Sequence, residues 1–100
     1  MHEYRVDFSA VAAGPLAKDA ASRLSAALES MPGADGLEGT NQDGRRRRVS
    51  ATFRIEVRLG MADAARDGSR LAKEALKVAG MGDAQLTELT VALLREVPAA

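Results

Sequence analysis

Residues 49–59 read VSATFRIEVRL, and apolar and polar side chains alternate along them without a slip. A period of two puts Val49, Ala51, Phe53, Ile55, Val57 and Leu59 on one face. Ser50, Thr52, Arg54, Glu56 and Arg58 take the other. Such a segment reads as a strand with one side against a core and the other facing water. The remaining chain must then supply both neighbouring strands and a layer over the apolar face.

The same period recurs near the start, in EYRVDFSAV. Tyr4, Val6, Phe8 and Ala10 point one way, and Glu3, Arg5, Asp7 and Ser9 the other. Between these strands the period changes. Gly14-Pro15 opens a helical pattern, with proline at a favoured first position. Leu16, Ala17, Ala20, Ala21, Leu24, Ala27, Leu28 and Met31 share one side, and Met31-Pro32-Gly33 stops it. Residues 33–45 read as a weak strand, around 37–41, or as loop, with Asp43-Gly44 as the turn of a hairpin. A second helix spans 62–79, with Ala64, Ala65, Leu71, Ala72, Ala75, Leu76, Val78 and Ala79 along one arc. Gly68 lies within that arc. A glycine there costs about 1 kcal/mol of helix stability against alanine, and its missing side chain permits close approach to a sheet. Gly80 and Gly82 end the helix.

The tail AQLTELTVALLREV has two readings. As a strand it sets Leu89, Val91 and Leu93 on one face and Thr90, Ala92 and Leu94 on the other. As a helix it aligns Leu86, Leu89, Leu93 and Val97. The β-branched Thr87, Thr90 and Val91 favour the strand. The element order is then βαββαβ, the split pattern of a ferredoxin-like α+β sandwich. That fold has one antiparallel sheet of strand order 4-1-3-2, with both helices on one face. The 100 residues make one domain with one modest, mostly aliphatic core.

Charge pairing suggests a register for the two central strands. If paired residue numbers sum to 61, Glu3 faces Arg58, Arg5 faces Glu56 and Asp7 faces Arg54, with Phe8 opposite Phe53. A shift to 59 sets Glu3 against Glu56 and Arg5 against Arg54, which direct cross-strand repulsion disfavours. The first register is therefore the expected one, with Arg54 and Arg58 neutralising Asp7 and Glu3.

The chemistry in the chain is sparse. Acidic and basic residues balance at 14 each, which argues against a general nucleic-acid binder but permits a local patch. Arg45, Arg46, Arg47 and Arg48 form that patch, at the end of the hairpin. They can meet phosphates, but no aromatic residue stands among them to stack on bases. An RNA-recognition motif exposes aromatics on its central strands, whereas Tyr4, Phe8 and Phe53 belong to the apolar face here. A solvated corner that discourages edge pairing explains the run more simply.

His2 is the lone histidine, beside Met1 at an end expected to fray, and the chain has no cysteine. No metal site, catalytic triad or thiol chemistry follows from these. The carboxylates of the open face are interleaved with arginines, and no catalytic residue is assigned. Neither a Walker sequence nor GxGxxG is present, and no cofactor is expected. The residues around Gly14-Pro15 do not match the glycine-rich loop with an arginine of an acylphosphatase. No apolar run is long enough to span a membrane, and no signal peptide is seen, so a cytoplasmic protein is the expectation. Richness in Ala, Arg and Gly suggests a bacterial or phage origin.

These readings lead to an expected function. The chain is read as a small non-catalytic interaction domain, a homodimer formed through its sheet or last strand at Leu89, Val91 and Leu93. It would bind a protein or small ligand. Polyanion binding at Arg45, Arg46, Arg47 and Arg48 is the alternative.

Overall fold

The computed structural model describes residues 1–58 and 60–96. Leu59 and Val97, named above, lie outside the described residues. Six elements follow one another: β1 (His2–Val11), α1 (Ala20–Glu29), β2 (Gly36–Asp43), β3 (Arg48–Val57), α2 (Met61–Val78) and β4 (Gln85–Glu96). The four strands form one antiparallel sheet in the order β2-β3-β1-β4. This is the expected ferredoxin-like α+β arrangement, read from the opposite edge. The ambiguous tail is a strand, and the weak stretch around Leu37 is one too.

The two alternating segments pair in the middle of the sheet, and their apolar faces make the core. Tyr4, Val6, Phe8, Ala10, Val49, Ala51, Phe53, Ile55 and Val57 are all buried there. Leu24, Ala27 and Leu28 of α1 and Leu71, Ala72, Ala75 and Leu76 of α2 cover them. α1 packs chiefly on β2 and β3, whereas α2 lies over β4, β3 and β1. Gly68 of α2 sits against the sheet: a Cβ there would meet both methyl carbons of Val6 at 3.1 Å. The close approach expected of this glycine is present.

The central register differs from expectation. β1 and β3 pair with Glu3 opposite Glu56, Arg5 opposite Arg54, Val6 opposite Phe53 and Phe8 opposite Ala51. Two effects outweigh the like charges. On the apolar face this alignment sets large against small side chains, which fills the layer evenly. The expected alignment would stack Phe8 on Phe53 and leave Ala10 facing Ala51. The two phenylalanines still meet, diagonally, with ring centroids 6.2 Å apart and planes at 76°.

On the open face, other residues supply the neutralising partners. Arg5 reaches across β3 to Glu38, with Nε 2.7 Å from its carboxylate. Glu38 stands at an irregularity between Leu37 and Gly39, where β2 slips by one residue against β3. Arg54 turns away over Gly36 and lies 3.9 Å from Glu3, which Arg95 of β4 also approaches at 3.6 Å. Asp7 accepts a hydrogen bond from the Thr52 hydroxyl. The expected Asp7–Arg54 and Glu3–Arg58 pairs are therefore replaced.

The hydrogen bond and charge of Arg5 hold the Glu38 carboxyl below its ordinary value of 4.5, and Glu38 in turn raises the Arg5 guanidinium. A lowered carboxyl value stabilises the fold above the unfolded-state value, and this is lost as pH falls through the folded one. Glu38→Gln should thus lower the melting temperature slightly at neutral pH. The deficit should close as pH drops below the ordinary glutamate value. A deficit that persists unchanged into strong acid would show that the pair contributes no charge-dependent stability. Both side chains are partly exposed, so the effect is small.

The first helix begins at Ala20, five residues beyond Pro15. Its start is held from outside. Gln42 of β2 accepts from Ala21 N at 2.7 Å through Oε1 and donates through Nε2 to the Ala17 carbonyl at 3.2 Å. A side chain from another element thus supplies a partner for a helix-start amide that its own cap leaves open. Asp19 makes no capping bond and pairs with Arg23 instead.

Candidate functional site

The C-terminal end of α2 is closed by a backbone motif. Gly80 is left-handed at φ 84°, its amide donates to the Lys77 carbonyl at 3.1 Å, and the Met81 amide donates to the Leu76 carbonyl at 2.7 Å. These are the two bonds of a Schellman ending. The chain then passes Gly82 and Ala84 into β4 and leaves a groove between helix and edge strand. Its volume is about 760 Å³, and its apolar lining residues are Ala84, Leu86 and the buried Leu76. Leu76 is buried, while Leu86 is partly buried against the core. Lys73 and Lys77 line the helix side, and Gln85 contributes a polar group from the strand. The volume lies within the usual range for small-ligand pockets. No acidic residue is among its lining residues.

The open sheet face has a smaller, polar depression of about 230 Å³, bordered by Asp7, Ser9, Ser50, Thr52, Glu88 and Thr90. It lacks the apolar side chains that give a small ligand most of its binding energy.

At the hairpin, Arg46, Arg47 and Arg48 each have a partner within the chain. Asp43 Oδ1 accepts from the Arg45 and Arg46 amides at 3.1 and 3.4 Å, an Asx turn that shapes the loop. Arg46 stays 3.9 Å from the same carboxylate. Arg47 is left-handed at φ 53° and donates through Nη1 to the Ala13 carbonyl at 3.0 Å. Arg48 begins β3 and lies 3.9 Å from Glu88.

Of the last-strand residues expected at an interface, Leu89 and Val91 are partly buried and pack against the core on the helix side. They stand beside Phe8 and Val6 of β1. Leu93, opposite Tyr4, is 54% exposed. The open face of β4 carries Glu88, Thr90 and Ala92 opposite Ser9, Asp7 and Arg5. Val78, assigned to the buried arc of the second helix, is 64% exposed instead.

His2 does not fray. It pairs with Val57 and Glu96 as the first residue of β1, and its ring meets that of Tyr4 at 6.3 Å. Its Nδ1 is buried without a hydrogen-bond partner among the described residues. Among the described residues no three His, Asp or Glu side chains are placed to share a metal ion. No helix among them is long and apolar enough to cross a membrane.

The groove is not legible in the sequence because its parts are separated. Lys73 and Lys77 read as the solvated side of a helix, and Leu86 as one residue of an ambiguous tail. Their helical spacing was visible, but only the position of β4 brings them beside an apolar floor.

No protein-family model matches this chain. No curated protein matches it either. A solved structure similar in shape is a "putative Antibiotic biosynthesis monooxygenase" from Chloroflexus aurantiacus J-10-fl, at 15% identity and a TM-score of 0.49, covering 97% of each chain. At that identity and score the likeness assigns this chain no activity. The expectation of a self-associating, non-catalytic interaction domain is corrected on the geometry of the last strand, because Leu89 and Val91 pack against the core and leave Leu93 as the exposed member of the three.

Proposed function

We propose that this chain is a small-ligand-binding domain that takes an apolar molecule in the groove between α2 and β4. The observation that carries this reading is the groove itself, about 760 Å³ beside Leu76, Ala84 and Leu86. A ligand seated there gains from burying apolar surface that the fold alone leaves partly open.

Gly82 gives a direct test. A Cβ at this position would make ordinary contacts of 3.8 Å with Lys77, and the backbone is not left-handed. Gly82→Leu should therefore fold normally and project its side chain into the groove. The neutral fluorescent amine N-phenyl-1-naphthylamine should bind the natural protein saturably with one site per chain. The variant should bind it about tenfold more weakly or worse, with an unchanged circular dichroism spectrum. Absence of saturable binding, or equal binding by a folded Gly82→Leu protein, would rule the groove out as the site.

A further inference from the structure

Resting on that reading, we propose that the groove selects amphipathic anions, molecules with an apolar body and a carboxylate or sulfonate head held between Lys73 and Lys77. The two lysines are four residues apart on α2, so their side chains rise from the same face, one turn apart. Both line the groove, whose apolar floor lies beside them. A ligand lying on Ala84 and Leu86 with its head toward the helix would meet both ammonium groups.

Lys73 and Lys77, like Lys18, Arg45, Arg47, Arg58 and Arg70, make no ion pair among the described residues. What sets these two apart is their place: both line the groove, and no Asp or Glu lines it with them. Like charges four apart on a helix repel. Lys77 is partly compensated by its place in the last turn, where the helix dipole favours a cation. Lys73, a turn earlier, has no such benefit. An anionic head would relieve the repulsion and form two charge-assisted hydrogen bonds at the border of a low-dielectric surface, where they are stronger than in open water.

The selectivity is measurable with two probes that share one ring system. 8-Anilino-1-naphthalenesulfonate is N-phenyl-1-naphthylamine carrying a sulfonate. At low salt the sulfonate should bind about tenfold more tightly than the neutral amine. The advantage should shrink as added salt shortens the screening length. The Lys73→Gln/Lys77→Gln double variant should lose the advantage, binding the sulfonate no more tightly than the neutral amine. Dodecanoate should displace the bound sulfonate from the natural protein more effectively than dodecanol does. Arg45→Gln/Arg46→Gln, at the hairpin, should leave the preference unchanged.

Neutral binding that Gly82→Leu blocks, with no tighter sulfonate binding, would overturn the anion preference and leave the groove reading standing. A preference that survives in the lysine double variant, or that disappears with the hairpin arginines, would overturn it too. Failure of both probes to bind would remove the groove reading and this inference together.

Discussion

Phe53→Ala is expected to cost about 3–5 kcal/mol, the usual range for truncating a buried phenylalanine. Phe53 is fully buried in β3 and meets Phe8 edge-on at 6.2 Å. It faces Val6 of β1 on one side and Leu37 of β2 on the other. The only other Phe, Tyr or Trp residues are Phe8 and Tyr4, both on β1, so no aromatic side chain from the helices can fill the space. Domains of this kind are stable by only about 5–15 kcal/mol in total, so the variant should sit near the edge of folding. Urea unfolding followed by far-ultraviolet circular dichroism measures this, because the chain has no tryptophan. The midpoint should fall sharply with an unchanged slope. A loss below about 1 kcal/mol would mean that the layer collapses around the gap and that Phe53 does not anchor it.

Gly68→Leu is expected to destabilise by about 1–3 kcal/mol or more, although leucine is far the better helix former. The opposing term is steric. A Cβ at this position already meets both Val6 methyls at 3.1 Å. Val6 is fully buried on a strand paired on both sides, and its branched side chain has little rotamer freedom. The smaller Gly68→Ala should also lose stability, because crowding offsets its helix-propensity gain of about 1 kcal/mol. In a Val6→Ala background the same change should become stabilising, a reversal of sign that assigns the cost to this one contact. Gly14→Ala, which meets nothing within 4 Å, should stay within about 0.5 kcal/mol of neutral. Additive behaviour of Gly68→Ala and Val6→Ala would refute the assignment.

The parts of the fold legible in the sequence are those governed by one segment's own period. Alternation located β1 and β3, and the apolar arc located α2 and singled out Gly68. The β-branched residues favour a strand for the tail, and β4 is one. What was not legible depends on third parties. Arg5 and Arg54 look mutually repulsive as a pair, but Glu38 reaches in from a slipped position on β2, and no two-strand comparison includes it. Packing on the other face mattered as well, because setting Phe8 against Ala51 fills space better than setting it against Phe53. The start of α1 was misplaced for the same kind of reason, since its closing hydrogen bonds come from Gln42. At the candidate site, the lysines were visible as helix-surface charges. Their apolar company was not, because it depends on where the edge strand comes to lie.

The strand order also bears on how the chain meets the cell during its synthesis. β1 lies between β3 and β4, so one of its edges gains a partner only after residues 58–84 have been made and β4 follows. At about 5–20 residues per second, that edge remains open for roughly a few seconds on every nascent chain. Throughout that interval the strand bearing Tyr4, Val6 and Phe8 offers one unpaired edge as a template for other extended chains. Translation speed through residues 58–84 therefore sets the window in which a holding chaperone or an aggregating neighbour competes with β4. Slower decoding there is expected to lower the yield of folded protein without changing the stability of the finished fold.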